Sequence, residues 1–157
     1  MTTRRVFAIT FLLLFVMIGA QSFGTPRGAG PDEAAHLVRA GGVVRGDVLG
    51  DVVGDEDAIR AFDVPSWVGQ PDPACYAFSP ETPASCAAIT ARTGPAVSTA
   101  GSYQVWAHVL PGLGTLLPGG ATTVWISRLL GALIPAGLIA AALTQLFLKA
   151  SEFASLL

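Results

Sequence analysis

The sequence predicts a mainly α-helical transmembrane protein with two or three spans and a largely irregular extracytoplasmic loop. Three observations lead there. Hydrophobic residues make up 52% of the 157 residues and charged residues only 13%, against roughly 25% charged in an ordinary soluble domain. Long uncharged apolar runs lie near both ends of the chain. Between them lies a polar stretch that collects most of the acid and proline.

The first elements are a basic N-terminus, residues 1–5, and a membrane helix, residues 6–23. Arg4 and Arg5 precede the apolar run VFAITFLLLFVMIGAQSF. Its 18 residues cover about 27 Å at a helical rise of ~1.5 Å, close to the hydrocarbon thickness of a bilayer. The arginine pair assigns the N-terminus to the cytoplasm by the positive-inside tendency. The competing reading is a cleaved signal peptide ending at Ile18-Gly19-Ala20. Either reading exports the loop that follows, and the anchored reading makes the chain a multi-pass protein of the cell membrane.

Residues 24–102 form that loop. Ten of the eleven acidic residues lie in it with only five arginines. The surplus of acid argues against a nucleic-acid partner. Eight of the eleven prolines also fall here, and the segment reads as an irregular polar loop without a strong core. Residues 31–40 read as a short helix, with Pro31 in the first turn, Asp32 and Glu33 at its positive end, and Gly41-Gly42 as the stop. Val43 to Val53 alternates apolar and polar residues in the manner of a short ribbon.

Cys75 and Cys86 sit eleven positions apart in the same loop. A disulfide there needs an oxidising compartment and would contribute on the order of 3 kcal/mol by chain entropy. Two unpaired thiols are the alternative.

The C-terminal third divides at its prolines and glycines into a short apolar piece, residues 103–118, and a longer one, residues 124–148, followed by a tail, residues 149–157. Tyr103 and Trp106 suit a membrane interface, and His108 reads as a neutral, hydrogen-bonded histidine near it. A hairpin turning at Gly119-Gly120 would return Arg128 to the side of Arg4 and Arg5, giving three spans. A re-entrant or interfacial 103–118 leaves two spans and a cytoplasmic Lys149. Ala132, Ala136 and Ala140 repeat every four residues, as do Gly137 and Ala141, and such small faces imply packing against other transmembrane helices.

The candidate chemistry lies at Asp32, Glu33 and His36. On a helix the imidazole sits three and four positions from the two carboxylates. A carboxylate at a membrane surface can act as a general base or help hold a divalent cation against a lipid phosphate. The plainer alternative is that the acids only complement the helix dipole. No Ser-His-Asp set, phosphate loop or dinucleotide fingerprint appears.

A first span, then PDEAAHLVRAGG, an external loop, SYQVWAHVLPGL, a short turn and SRLLGALIPAGLIAAAL together resemble the N-terminal part of the DUF2142 family of polytopic membrane proteins. That family is similar to the GT-C glycosyltransferases, which use polyprenyl-phosphate sugars as donors. The resemblance implies a catalytic acid at Asp32, with Glu33 as the other candidate and His36 beside them. Arg128 matches an arginine that opens a later span. Where the family has a Pro-Pro-x-Tyr-Tyr approach to its second span, this chain reads AGSYQVW, and only the aromatic character survives. Members are several times longer and carry many more spans, so the resemblance implies a fragment that is inactive alone. The remaining expectation is a non-enzymatic membrane subunit that binds other membrane proteins.

Overall fold

A helix that is apolar on every side has no face to turn to water, and two such helices frame this protein. The computed structural model describes residues 2–30, 32–68, 75–76, 78–87 and 93–154, the last three of them by backbone alone. The expected role of Pro31 in a first helical turn, residues 69–74 of the irregular stretch and residues 155–157 of the tail lie outside the described residues. Helix α1 runs Thr3–Gly24, α2 Glu33–Val43, α3 Trp106–Gly114 and α4 Gly120–Ala154. Strands β1 (Asp51–Val52), β2 (Arg60–Phe62) and β3 (Ala96–Ser98) fall between α2 and α3.

Helices α1 and α4 are each long and apolar enough to cross a membrane. They lie side by side and antiparallel. Phe23, at the end of α1, stacks on Trp125 near the start of α4, with ring centroids 5.2 Å apart. At the other end Thr3, Arg4 and Phe7 line a groove with Ala141, Thr144 and Gln145. Ala132, Ala136, Ala140 and Thr144 form the buried stripe of α4, and the contact it makes with α1 allows two backbones to approach closely. The outward faces stay apolar and bare: Leu13 and Met17 of α1 and Leu138 and Leu146 of α4 are all more than 60% exposed. Contiguous apolar surface of this kind suits lipid rather than water.

The second apolar piece of the three-span expectation, residues 103–118, holds a shorter helix. Helix α3 has nine residues, about 13 Å at ~1.5 Å per residue, far short of a bilayer core. Arg128 also stands at the far end of α1 from Arg4 and Arg5, bonded to the carbonyls of Ser22 and Thr25. The third apolar piece begins earlier and ends later than residues 124–148, because nothing interrupts its helix on either side.

Residues 24–102 also differ from the expected irregular loop. Val38 of α2, Phe62, Val64, Val68 and Ala96 form a buried cluster, with Trp67 packed against it. The three strands make an antiparallel sheet in the order β1-β2-β3, with Asp51 opposite Ala61 and Arg60 opposite Ser98. The predicted ribbon across Val43–Val53 is limited to β1, and its partner strand comes from farther along the chain. Gly41 and Gly42 do not stop α2. A Cβ on Gly41 would stand 2.8 Å from Val68 Cγ1, and one on Gly42 would overlap the Phe62 ring. The glycine pair lets the sheet and its loop close directly onto the helix backbone.

Cys75 and Cys86 are joined, with their sulfurs 2.07 Å apart. Tyr76, beside the bridge, donates its hydroxyl to the carbonyl of Arg27 at 3.0 Å. The cross-linked segment is thereby fastened to the chain just after α1.

Candidate functional site

Helices α2, α3 and α4 meet around a pocket of roughly 310 Å³. Close backbone approach creates the junction. Gly112 of α3 presses on Ala40 and Val44 of α2, where a Cβ would lie 2.5 Å from the Ala40 carbonyl oxygen. Gly114 of α3 packs against Ser127 of α4, and Gly131 of α4 receives the ring of Pro111. The remaining space is walled by Leu37, Ala107 and Pro111, with His36, His108, Glu33, Arg128, Ser127, Tyr103 and Gln104 as its polar members.

Glu33 and Arg128 are held together at one side. Arg128 Nε donates to Glu33 Oε1 at 2.5 Å and Nη2 to Oε2 at 2.9 Å. The same guanidinium donates to the carbonyls of Ser22, Thr25 and Pro26 and stacks over the Trp125 ring at 4.8 Å. Glu33 Oε2 also accepts the backbone N–H of Gly28 at 2.6 Å. Every strong bonding direction of the pair is used in tying α1, the segment after it, α2 and α4 into one corner.

Asp32 is placed differently. It caps α2 in a left-handed conformation, φ 54°, without a side-chain capping bond, and it is exposed. An aspartate tolerates this region better than most residues. Asp32 and Glu33, adjacent in sequence, therefore part company: one is structural, the other is open to solvent.

His36 does not pair with either carboxylate. Its Nδ1 lies 3.0 Å from Nε2 of His108, and His108 Nδ1 lies 2.9 Å from the carbonyl of Gln104. The carbonyl can only accept, so His108 carries its proton on Nδ1 and, when neutral, accepts through Nε2. His36 Nδ1–H is then the donor, and Nε2 of His36 is left as a lone pair with no protein partner among the described residues. Burial lowers the pKa of His108; the Gln104 hydrogen bond opposes this, and the charges of His36 and Arg39 reinforce it. The His36 ring also rests against His108 and Tyr103, both centroids 5.3 Å away. His108 itself is buried.

Two further arginines hold the cap around this site. Arg39, 3% exposed, donates to the carbonyls of Val48 and Tyr103 and lies over Phe62. Arg45 donates to Gly41 and to both oxygens of Thr115. Burial lowers the pKa of each. Ser127 is the outlying polar group: its hydroxyl is buried and has no hydrogen-bond partner among the described residues.

Among the described residues no three His, Cys, Asp or Glu side chains come together as metal ligands. The sequence reading missed His108 as the partner of His36, 72 positions away, and Arg128 as the partner of Glu33, 95 positions away. A histidine in each of two short helices was the only signal for the first. Comparison of the chain with protein-family models, with curated proteins and with solved structures finds no match.

Proposed function

We propose that the chain is a two-span protein of the cell membrane, with residues 24–102 and α3 outside the cytoplasm, and that it contributes to a GT-C-like site acting on polyprenyl-phosphate sugars. The antiparallel α1 and α4 support the placement. Arg4, Arg5 and Lys149 lie toward one end of the pair, while Arg128 is neutralised by Glu33 at the other. Positive-inside bias then points both termini inward.

The observation that carries the reading is the unequal fate of the acidic pair. Glu33 is spent on Arg128, whereas Asp32 stands exposed at the head of α2, close to where α1 leaves the membrane. A lone carboxylate there is placed to meet the polar end of a lipid-linked substrate, and the resemblance assigns the catalytic acid to that position.

A photoreactive polyprenyl-phosphate glucose, added to bilayers carrying the full chain, tests the reading. The expected crosslinks fall between Gly28 and Leu37 and are competed by unlabelled donor. Crosslinks confined to the outer faces of α1 and α4, or unaffected by competitor, would sink it. Single cysteines at Ser66 and Gln145, probed from each side of the membrane, test the placement separately.

The second reading, a membrane subunit that binds other membrane proteins, is favoured by one feature. Gly137 has open space beyond its Cα, and Ala141 is exposed on the same face of α4. A partner held there would be lost on Gly137→Leu and retained on Asp32→Asn.

A further inference from the structure

We infer that the α2–α3–α4 pocket binds a neutral, hydroxyl-bearing molecule with a hydrocarbon body, its hydroxyl held between His36 Nε2 and Ser127 Oγ. The inference is independent of both the membrane placement and the sugar donor proposed above.

Charge decides the class of ligand. The pocket's one cation, Arg128, and one anion, Glu33, satisfy each other through two hydrogen bonds. His108 is kept neutral by burial and by its role as acceptor from His36. Little net charge is left to offset the desolvation of a phosphate or carboxylate, which is expensive in an apolar site. The walls of Leu37, Ala107, Pro111 and Gly131 suit hydrocarbon.

Tyr103 and Gln104 also line the pocket, and two of its polar atoms, His36 Nε2 and Ser127 Oγ, are complementary. His36 Nε2 has a lone pair whose direction is set by the chain His36–His108–Gln104 carbonyl. Ser127, only 3% exposed, lines the same pocket, and its Oγ, beside Gly114, has no hydrogen-bond partner among the described residues. Buried hydroxyls are seldom left unsatisfied in native proteins. An alcohol can donate its O–H to the histidine nitrogen and accept the O–H of the serine. A pure hydrocarbon satisfies neither atom.

The test uses the full chain in lipid nanodiscs with ¹⁵N-labelled histidine. Geraniol is the probe, with geranyl phosphate as its anionic counterpart and myrcene as the hydrocarbon control. Geraniol is expected to shift the His36 Nε2 resonance in a saturable way, with myrcene giving no such shift and geranyl phosphate binding at least tenfold more weakly. Ser127→Ala should weaken geraniol by roughly two- to tenfold, the value of one neutral hydrogen bond, while leaving the His36–His108 coupling intact. The inference is overturned if geraniol leaves His36 unshifted, if geranyl phosphate binds as tightly, or if Ser127→Ala has no effect on affinity. Failed cysteine mapping would remove the placement alone, because the nanodisc titration reads the pocket whichever way the chain is inserted.

Discussion

Glu33 and Arg128 form a two-pronged ion pair between the first turn of α2 and the outer part of α4, each side chain only 13% exposed. The pair is also the point where four chain segments meet. Removing one member of a largely buried pair leaves the other without compensation, at a cost of about 3–5 kcal/mol for full burial. Some water access reduces this, so Glu33→Gln is expected to destabilise the protein by roughly 2–3 kcal/mol. The charge-swapped double variant Glu33→Arg with Arg128→Glu should not recover stability. A carboxylate at position 128 would face the carbonyls of Ser22, Thr25 and Pro26. Thermal unfolding in detergent measures both, and full recovery by the swap would show that the carbonyl contacts are unimportant.

Two glycines of similar propensity should respond oppositely to alanine. A Cβ at Gly42 meets the Phe62 ring, whereas a Cβ at Gly137 meets nothing within 4 Å. Gly42→Ala should cost about 1–3 kcal/mol through overpacking. Gly137→Ala should be neutral or stabilise by up to about 1 kcal/mol, since helical glycine is unfavourable relative to alanine. Equal effects at the two sites would contradict the packing of the sheet on α2.

The parts of this fold legible in the sequence are those coded locally. The long apolar helices follow from uninterrupted runs, the start of α2 from an acidic first turn, and the bridge from two cysteines in one short loop. What escaped depends on pairing across distance. Strands of two or three residues carry too little periodicity to register, and β2 finds β3 far along the chain, with Ala61 opposite Val97. Gly41-Gly42 has the composition of a stop, but tertiary contact with Phe62 and Val68 overrides it. The site was only half visible for the same reason. Asp32, Glu33 and His36 form a compact motif, yet the environment of Glu33 and His36 is set by Arg128 and His108, brought in by α4 and α3. Spacing alone linked His36 to the carboxylates. The structure turns it toward another imidazole.

The small-residue stripe of α4 is expected to be sensitive where it is buried against α1 and indifferent at the exposed rim of the groove, which Ala141 lines with Phe7. Ala136 and Ala140 are fully buried, while Ala141 is exposed. Ala136→Leu should therefore separate the helices and cost about 1–3 kcal/mol, the usual range for overpacking. Ala141→Leu should change stability by less than about 0.5 kcal/mol, as expected for an exposed position. Disulfide trapping between cysteines introduced at Phe7 and Ala141 would report the helix spacing directly. Efficient trapping in the Ala136→Leu variant would argue against the close α1–α4 packing.

His108 gives the protein a defined response to acid. Its pKa is lowered by burial, with His36 and Arg39 adding to the effect against the Gln104 hydrogen bond. Above the ordinary imidazole value of about 6.5 neither the folded nor the unfolded chain holds a proton here, and the contribution to stability is complete. Below that value the unfolded chain takes up a proton that folded His108 resists. Stability contributed by this residue is therefore lost as pH falls from the ordinary imidazole range toward the lowered folded pKa. Protonation also turns His108 Nε2 from acceptor to donor, so that the bond reverses and His36 must accept through Nδ1 with its own proton on Nε2. The groups facing it are His36, Arg39 and the Gln104 carbonyl, with the neutralised Glu33–Arg128 pair across the pocket. Titration of ¹⁵N-labelled histidine should show His108 keeping its Nδ1–H tautomer at pH values where an exposed histidine is already charged. A midpoint at or above the ordinary value would mean that His108 is not buried as an acceptor, and the relay to His36 would lose its basis.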